Sequence, residues 1–205
     1  MAYPVITIGR EYGSGGRIIG EKVAEALQVP FYDKKLIELA ARETGFTESF
    51  IREMEQKRTG SLIYSIYLNS QSLSLSDQVF VTESELIRKA AQEPCVIVGR
   101  CADYLLSDIH SLHVFVHAPL EERMERAKQE YGIELEGKEL ESYVIKADKS
   151  RANYYNYFTT LKWGRSQNYD ITLNSHMGID VAVDIIVGLA KRMNVPEEPE
   201  NAESR

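Results

Sequence analysis

Residues 5–27 read "VITIGREYGSGGRIIGEKVAEAL": a continuous apolar run, a loop rich in glycine, and a segment whose apolar residues recur with helical spacing. A strand that passes through such a loop straight into a helix is the first half of a crossover unit, and it commits the chain to an α/β architecture. Four further apolar runs follow, "VPFY" at 29–32, "CVIV" at 95–98, "LHVFV" at 112–116 and "YDITL" at 169–173. Their continuous rather than alternating character suits strands covered on both faces, as in a parallel sheet. Between them the helical period recurs over 16–28, 34–43, 47–57, 83–92, 119–131, 138–158 and 178–192. The pattern predicts a three-layer α/β fold with a five-stranded parallel sheet, right-handed crossovers, and ligands beyond the carboxyl ends of the strands.

Such a sheet needs a large core, and 205 residues with 43% hydrophobic content supply one. A formal net charge of −7 argues against nucleic acid or an anionic membrane as partner, because both require a basic footprint. Any anion site is therefore local. Cys95 and Cys101 are the two cysteines, too few for a disulfide framework or a four-thiolate zinc site, and they suit a reducing compartment. With no apolar run of roughly 18 residues and no basic flank before the first strand, a cytoplasmic location is expected. Two excursions exceed a minimal crossover: 34–94, with the serine-rich "YLNSQSLSLSDQ", and 119–168. At the ligand edge of a sheet, such excursions serve as caps and lids. The final "NVPEEPENAESR", residues 194–205, is polar and carries two prolines, so a disordered tail is expected after a domain over 1–193.

The glycine loop points to phosphate. Gly13, Gly15 and Gly16 let successive amides turn inward, and the helix that starts near Gly16 adds the partial positive charge of its N-terminus. A dinucleotide fingerprint G-x-G-x-x-G begun at Gly13 fails at Ile18, where a branched side chain replaces the third glycine, although Asp33 stands where a ribose-binding acid would. The P-loop pattern G-x-x-x-x-G-K-[ST] puts Arg10 at the first glycine, Gly16 at the lysine and Arg17 at the hydroxyl residue. Arg10 and Arg17 flank the loop and supply charge that the missing lysine would bring. Ser14 is the nearby hydroxyl for a magnesium ion, with a remote carboxylate or the nucleotide itself as the alternatives.

Several segments together, "ITIGREYGSGGRIIGEKVAEAL", "VPFYDKKLI", "CVIVGRCADYLL", "FVHAPLEERMER" and "DKSRANYYNYFTTLKWGRSQNYDITLNS", resemble the cytidylate kinase-like family, a branch of the P-loop nucleoside monophosphate kinases. The resemblance runs from residue 5 to 192 and is weakest over 45–80. It implies the fold of P-loop nucleoside triphosphate hydrolases, with a helical acceptor-binding insertion over about 34–94 and a lid over about 119–168. It also implies transfer of the γ-phosphoryl group of ATP, with Mg²⁺, to a nucleoside monophosphate such as CMP or dCMP, or to a similar small acceptor. Two rivals stand beside it: a nucleotide-binding regulatory module without catalysis, and a dinucleotide-dependent enzyme. An oligomer is compatible with all three.

Cytidylate kinase loops resemble G-P-S-G-S-G-K-G-T. Their shared "GSG" aligns with Gly13, Ser14 and Gly15, so the lysine falls on Gly16 and the threonine on Ile18. Arg17 is then the expected substitute for the lysine. The resemblance makes Asp33 an acceptor-binding acid, with Arg42 the nearest cation to the usual phosphate-gripping arginine. An N-cap for the following helix is the other reading of Asp33. "VGRCAD" resembles a G-R-D element that contacts the acceptor and singles out Arg100, with Asp103 one turn on, as a substrate contact or as the partner in a structural salt bridge. Arg123 and Arg151 are expected as lid arginines over the transferring group and Asp148 as a substrate-side acid, while solvated helix charge is the other reading of Arg123 and Arg126. Tyr154, Tyr155, Tyr157 and Phe158 are read as packing aromatics rather than a base sandwich. His113 and His117 share a strand face without a third ligand and are read as ordinary histidines; the metal ligands are unassigned.

Overall fold

A computed structural model describes residues 3–45, 47–49 and 75–193. All five strands form. β1 (Val5–Arg10), β2 (Phe31–Tyr32), β3 (Val96–Val98), β4 (Ser111–His117) and β5 (Ile171–Asn174) make one parallel sheet in the order β2-β3-β1-β4-β5. Ile6 registers with Val96 on one side of β1 and with Leu112 on the other. The order differs from the 3-2-1-4-5-6 of dinucleotide folds.

Helices cover both faces: α1 (Gly16–Leu27), α2 (Lys34–Thr44), α3 (Leu75–Ala90), α4 (Ala102–Leu105), α5 (Leu120–Tyr131), α6 (Gly137–Phe158) and α7 (Ile179–Arg192). Alternate residues of each strand enter opposite layers. Ile6, Ile8, Val96, Val98, Val114 and Val116 pack under α1 and α7 with Ile19, Val23 and Ile186. Val5 and Ile97 face Leu36, Ile87 and Leu106 on the other side. Ile6 and Ile8 are fully buried, so truncating either to alanine costs about 2–5 kcal/mol. Close seating of α1 depends on Gly20, where a Cβ would stand 3.0 Å from Val98 Cγ2 and 3.1 Å from Ile8 Cδ1.

Three boundaries depart from the sequence reading. β1 runs on to Arg10, which places that arginine at the sheet's carboxyl edge. α3 begins at Leu75, eight residues before the expected start at 83, because Val79 already belongs to its buried face. The short α4 arises where only a loop was expected, in the chain leaving β3. The helix expected over 47–57 (save 47–49), the serine-rich stretch up to residue 74 and the tail from 194 lie outside the described residues. Among the described residues no helix is long and apolar enough to cross a membrane.

Candidate functional site

The chain leaves β1 and turns through Glu11–Gly15 into α1 at the point where the sheet order switches between β3 and β4, the place such folds reserve for ligands. Gly13 and Gly15 have φ of +75° and +81°, which side chains adopt only at a cost. A Cβ on Gly13 would also overlap the main-chain carbonyl of Arg123, whose carbon is 2.9 Å from that position.

Every carbonyl of the loop is taken from outside its concavity or from within the turn. Arg10 O accepts from Arg151 Nη1 at 3.1 Å, and Glu11 O accepts from the Ser14 hydroxyl at 2.9 Å. Tyr12 O accepts a long bond from Arg123 Nη1 at 3.5 Å, and Gly13 O accepts from Arg126 Nη1. Ser14 O accepts from Ser175 Oγ at 2.6 Å, and Gly15 O from the Ile19 amide at 2.9 Å. The amides divide otherwise. Those of Glu11 and Tyr12 are used, by Val116 O at 3.0 Å and Asp148 Oδ1 at 2.7 Å. Those of Gly13, Gly15, Gly16, Arg17 and Ile18 meet no acceptor among the described residues. Amides left open at the start of a 12-residue helix form an anion-binding nest.

The nest opens into a cleft of about 640 Å³ lined by Arg10, Arg17, Asp33, Arg100, Asp103 and Arg151 and walled by Tyr154, Tyr155, Trp163 and Tyr169. Asp33 does not cap α2; its Oδ2 accepts from Arg17 Nε at 2.9 Å and its Oδ1 lies 3.8 Å from Arg10 Nη2. Arg100 pairs with Glu83 of α3, not with Asp103, and the Tyr154 hydroxyl donates to the other Glu83 oxygen at 3.0 Å. Asp103 instead accepts from the Tyr155 hydroxyl at 2.7 Å, and burial raises its pKa above the ordinary carboxylate value. Gly99, Arg100 and Cys101 all have positive φ, at 79°, 57° and 56°, so the turn after β3 holds two side-chain-bearing residues in left-handed backbone. Such residues cost of order 1–2 kcal/mol each, and the buried Arg100–Glu83 pair holds them there.

Several expected site residues sit elsewhere than the sequence suggested. Asp148 faces the back of the loop, binding the Tyr12 amide and pairing with Arg123. Arg123 is 8% exposed, with Nε 3.5 Å from Glu11 Oε2, so it is neither a solvated helix charge nor part of the cleft lining. Arg151 does line the cleft, under Tyr12 in a cation–π contact at 5.3 Å; burial lowers its pKa, although a guanidinium remains charged at neutral pH. Arg42 is exposed in the last turn of α2 and stands away from the cleft lining. Of the aromatics, Tyr154 and Tyr155 are buried and Phe158 stacks on Phe80, whereas Tyr157 is 60% exposed.

Glu11, Glu83 and Ser175 escaped the sequence-based selection of site residues, and Arg126, weighed there as a lid arginine or a solvated charge, instead holds the Gly13 carbonyl. Glu83 had a signal: with Val79 and Ile87 it forms an i, i+4, i+8 row on α3 that is buried throughout, and a carboxylate within such a row needs a buried cation.

The residues fit a polyphosphate, since the nest offers N–H donors and the cleft edge offers guanidinium groups. They do not fit a protein-bound magnesium ion. Ser14 is fully buried with its hydroxyl turned to Glu11 O, and among the described residues no three His, Cys, Asp or Glu side chains form a metal-binding group. His113 is taken up by Thr7 Oγ1 at 2.8 Å and Ser111 Oγ at 3.1 Å, and burial lowers its pKa.

The sequence profile described as the cytidylate kinase-like family matches residues 5–177. No curated protein matches the sequence. A crystal structure of an uncharacterized protein from Eubacterium ventriosum is 27% identical, with a TM-score of 0.69 over 92% of this chain and 98% of that one. Shikimate kinase from Bacteroides thetaiotaomicron is 16% identical, with a TM-score of 0.57 over 93% of this chain and 99% of that one. A gluconokinase from Sinorhizobium meliloti is 18% identical, with a TM-score of 0.54 over 94% and 97%. The last two share the fold.

Proposed function

The chain belongs to the cytidylate kinase-like family, and from that premise we propose that it is a phosphotransferase that moves the γ-phosphoryl group of ATP to a small acceptor, with CMP or dCMP the first acceptors to test. The observation that carries the reading is the loop itself: carbonyls from Arg10 to Gly15 all taken, and five amides from Gly13 to Ile18 left to an anion. Bound ATP would supply the transferable phosphoryl group, and a magnesium ion brought with the nucleotide would supply further charge neutralisation. The chain's part is positioning and charge. The nest holds the donor phosphates, and Arg10, Arg17 and Arg151 at the cleft edge neutralise charge on the transferring group. Arg100, on the turn after β3, and Asp103, in α4, face the acceptor together with Asp33. The tyrosine and tryptophan wall gives the acceptor an amphipathic surface and keeps bulk water from the transfer. In this reading the segments over about 34–94 and 119–168 are the acceptor-binding insertion and the lid.

The test is a panel of nucleoside monophosphates and small hydroxyl compounds incubated with ATP and Mg²⁺, followed by ADP release and by mass analysis of the product. Stoichiometric ADP and phosphorylated acceptor from one member of the panel are expected. Tight ATP binding with background rates throughout would identify a nucleotide-binding module without transfer, a reading to which the glycine at position 16 and the inward hydroxyl of Ser14 would then belong.

A further inference from the structure

The side chain of Arg10 crosses the start of α1. A Cβ on Gly16 would stand 2.6 Å from Arg10 Cβ and 3.1 Å from its Cγ. The Cβ is fixed by the main chain and cannot swing aside. Farther out, the guanidinium rests on Gly99, where a Cβ would come within 3.0 Å of Cζ. Two glycines from separate loops are thus filled over by one arginine. The guanidinium ends beside Asp33 and lines the cleft, with the side chain 21% exposed.

Arg17 reaches the same carboxylate from the first turn of α1. Its Nε is bound to Asp33 and its Nη2 lies 3.9 Å from Glu21 one turn along α1, with the side chain 37% exposed. Phosphoryl transfer needs full positive charge against the terminal phosphates, which amides alone do not supply. In the common loop pattern a lysine on the residue corresponding to Gly16 brings that charge. Here Arg10 bars any side chain at that position.

Resting on the phosphotransferase reading above, we propose that Arg10, entering from β1 across Gly16, replaces the loop lysine as the cation that contacts the donor's terminal phosphates. Gly16 is a glycine because Arg10 Cβ leaves no room for another, while Gly99 already has the positive φ that favours glycine and lets the guanidinium lie over it. Its guanidinium stays charged at every working pH and presents a fork suited to phosphate oxygens, while its origin on a strand gives it a fixed line of approach that a lysine on the helix would lack.

The experiment is calorimetric titration of the whole chain with ATP, ADP and AMP in Mg²⁺ buffer, for the unmutated protein and for Arg10→Gly, Arg10→Met, Arg17→Ala, Gly16→Lys and the double variant Arg10→Gly with Gly16→Lys. Loss of a charge-assisted contact predicts that both Arg10 variants weaken ATP binding about 10- to 100-fold while AMP binding changes little. Arg10→Met keeps the packing over the glycines, so a folding defect in Arg10→Gly does not blunt the test. Arg17→Ala should weaken ATP binding less than either. Gly16→Lys alone should lower the unfolding midpoint, and removing Arg10 beside it should restore both folding and ATP affinity by re-creating the common loop. The proposal is overturned if the Arg10 variants bind ATP like the unmutated protein, if Arg17→Ala loses more, or if the double variant binds no tighter than Arg10→Gly. An unmutated protein that binds no ATP overturns the phosphotransferase reading and this inference together, whereas normal transfer by Arg10→Met overturns this inference alone.

Discussion

Asp148, in the middle of α6, accepts the Tyr12 amide at 2.7 Å across 136 residues of sequence and pairs through its other oxygen with the buried Arg123. A single carboxylate thus ties the glycine loop to a helix more than a hundred residues away in sequence. The same logic recurs around the loop, where Arg126 of α5, Arg151 of α6 and Ser175 after β5 each hold one carbonyl.

Replacing Asp148 by alanine leaves Arg123 with Glu11 at 3.5 Å as its remaining acid and strips the Tyr12 amide of its acceptor. Breaking one side of a largely buried ion pair costs about 3 kcal/mol, the low end of the usual range because Glu11 persists. In a domain of this size that lowers Tm by about 6–12 °C, measurable by scanning calorimetry.

Arg126→Ala is expected to act on binding more than on folding. The side chain is only half-buried, and its guanidinium holds the Gly13 carbonyl. With that carbonyl released, the peptide can rotate and the nest loses its preset shape. ATP affinity should fall about 10-fold, the worth of one hydrogen bond to a charged group, while the urea midpoint moves little.

Two glycines with similar backbone separate strain from collision. Gly13 and Gly45 have φ of +75° and +72°, but a Cβ at Gly45 meets nothing within 4 Å among the described residues whereas one at Gly13 strikes the Arg123 main chain. Alanine at Gly45 should cost about 1 kcal/mol, the price of left-handed backbone alone. Alanine at Gly13 should cost several times as much in chemical denaturation and abolish nucleotide binding.

Glu83→Gln keeps the shape of the α3 row but removes the charge that faces Arg100. A destabilisation of about 2–4 kcal/mol is expected from breaking one side of a buried ion pair. With the turn after β3 loosened, KM for the acceptor should rise more than KM for ATP, which steady-state kinetics at varied concentration of each will separate.

His113 sets a pH dependence. Burial lowers its pKa below the ordinary 6.5, so the unfolded chain takes up its proton first as pH falls. Between 6.5 and the lowered folded value the unfolded state binds more protons, and the stability His113 contributes above pH 6.5 is lost as pH falls through that window. Asp103 acts on His113 and its own raised pKa works in the opposite sense, so urea midpoints at pH about 7.5 and about 5.5 are compared in an Asp103→Asn background, where they should diverge with His113 present and converge in His113→Asn.

Much of this was legible in residues 5–27, because a continuous apolar run, three clustered glycines and a helical period are local properties that the backbone obeys wherever the segment lies. The same holds for the other four strands, whereas Glu83 went unread because the helix was expected only from residue 83, which left Val79 outside the row that buries it. Arg17 was the natural substitute for the lysine because it follows Gly16 directly; that Arg10 shares its partner Asp33 in the same cleft is a relation that only the fold shows. Asp103 stood one turn from Arg100, and each found a different partner, Tyr155 and Glu83.

By itself, then, the sequence determined the order of the elements, the parallel sheet and the glycine cradle at the end of β1, since apolar period and glycine conformation act over a few residues. Only the tertiary structure decided which charges face the cleft and which brace the loop from behind. Arg123, Arg126 and Asp148 carry the same charges in either role, and their partners lie more than a hundred residues away or on another helix, so the choice waits on how α5 and α6 dock against the strand ends.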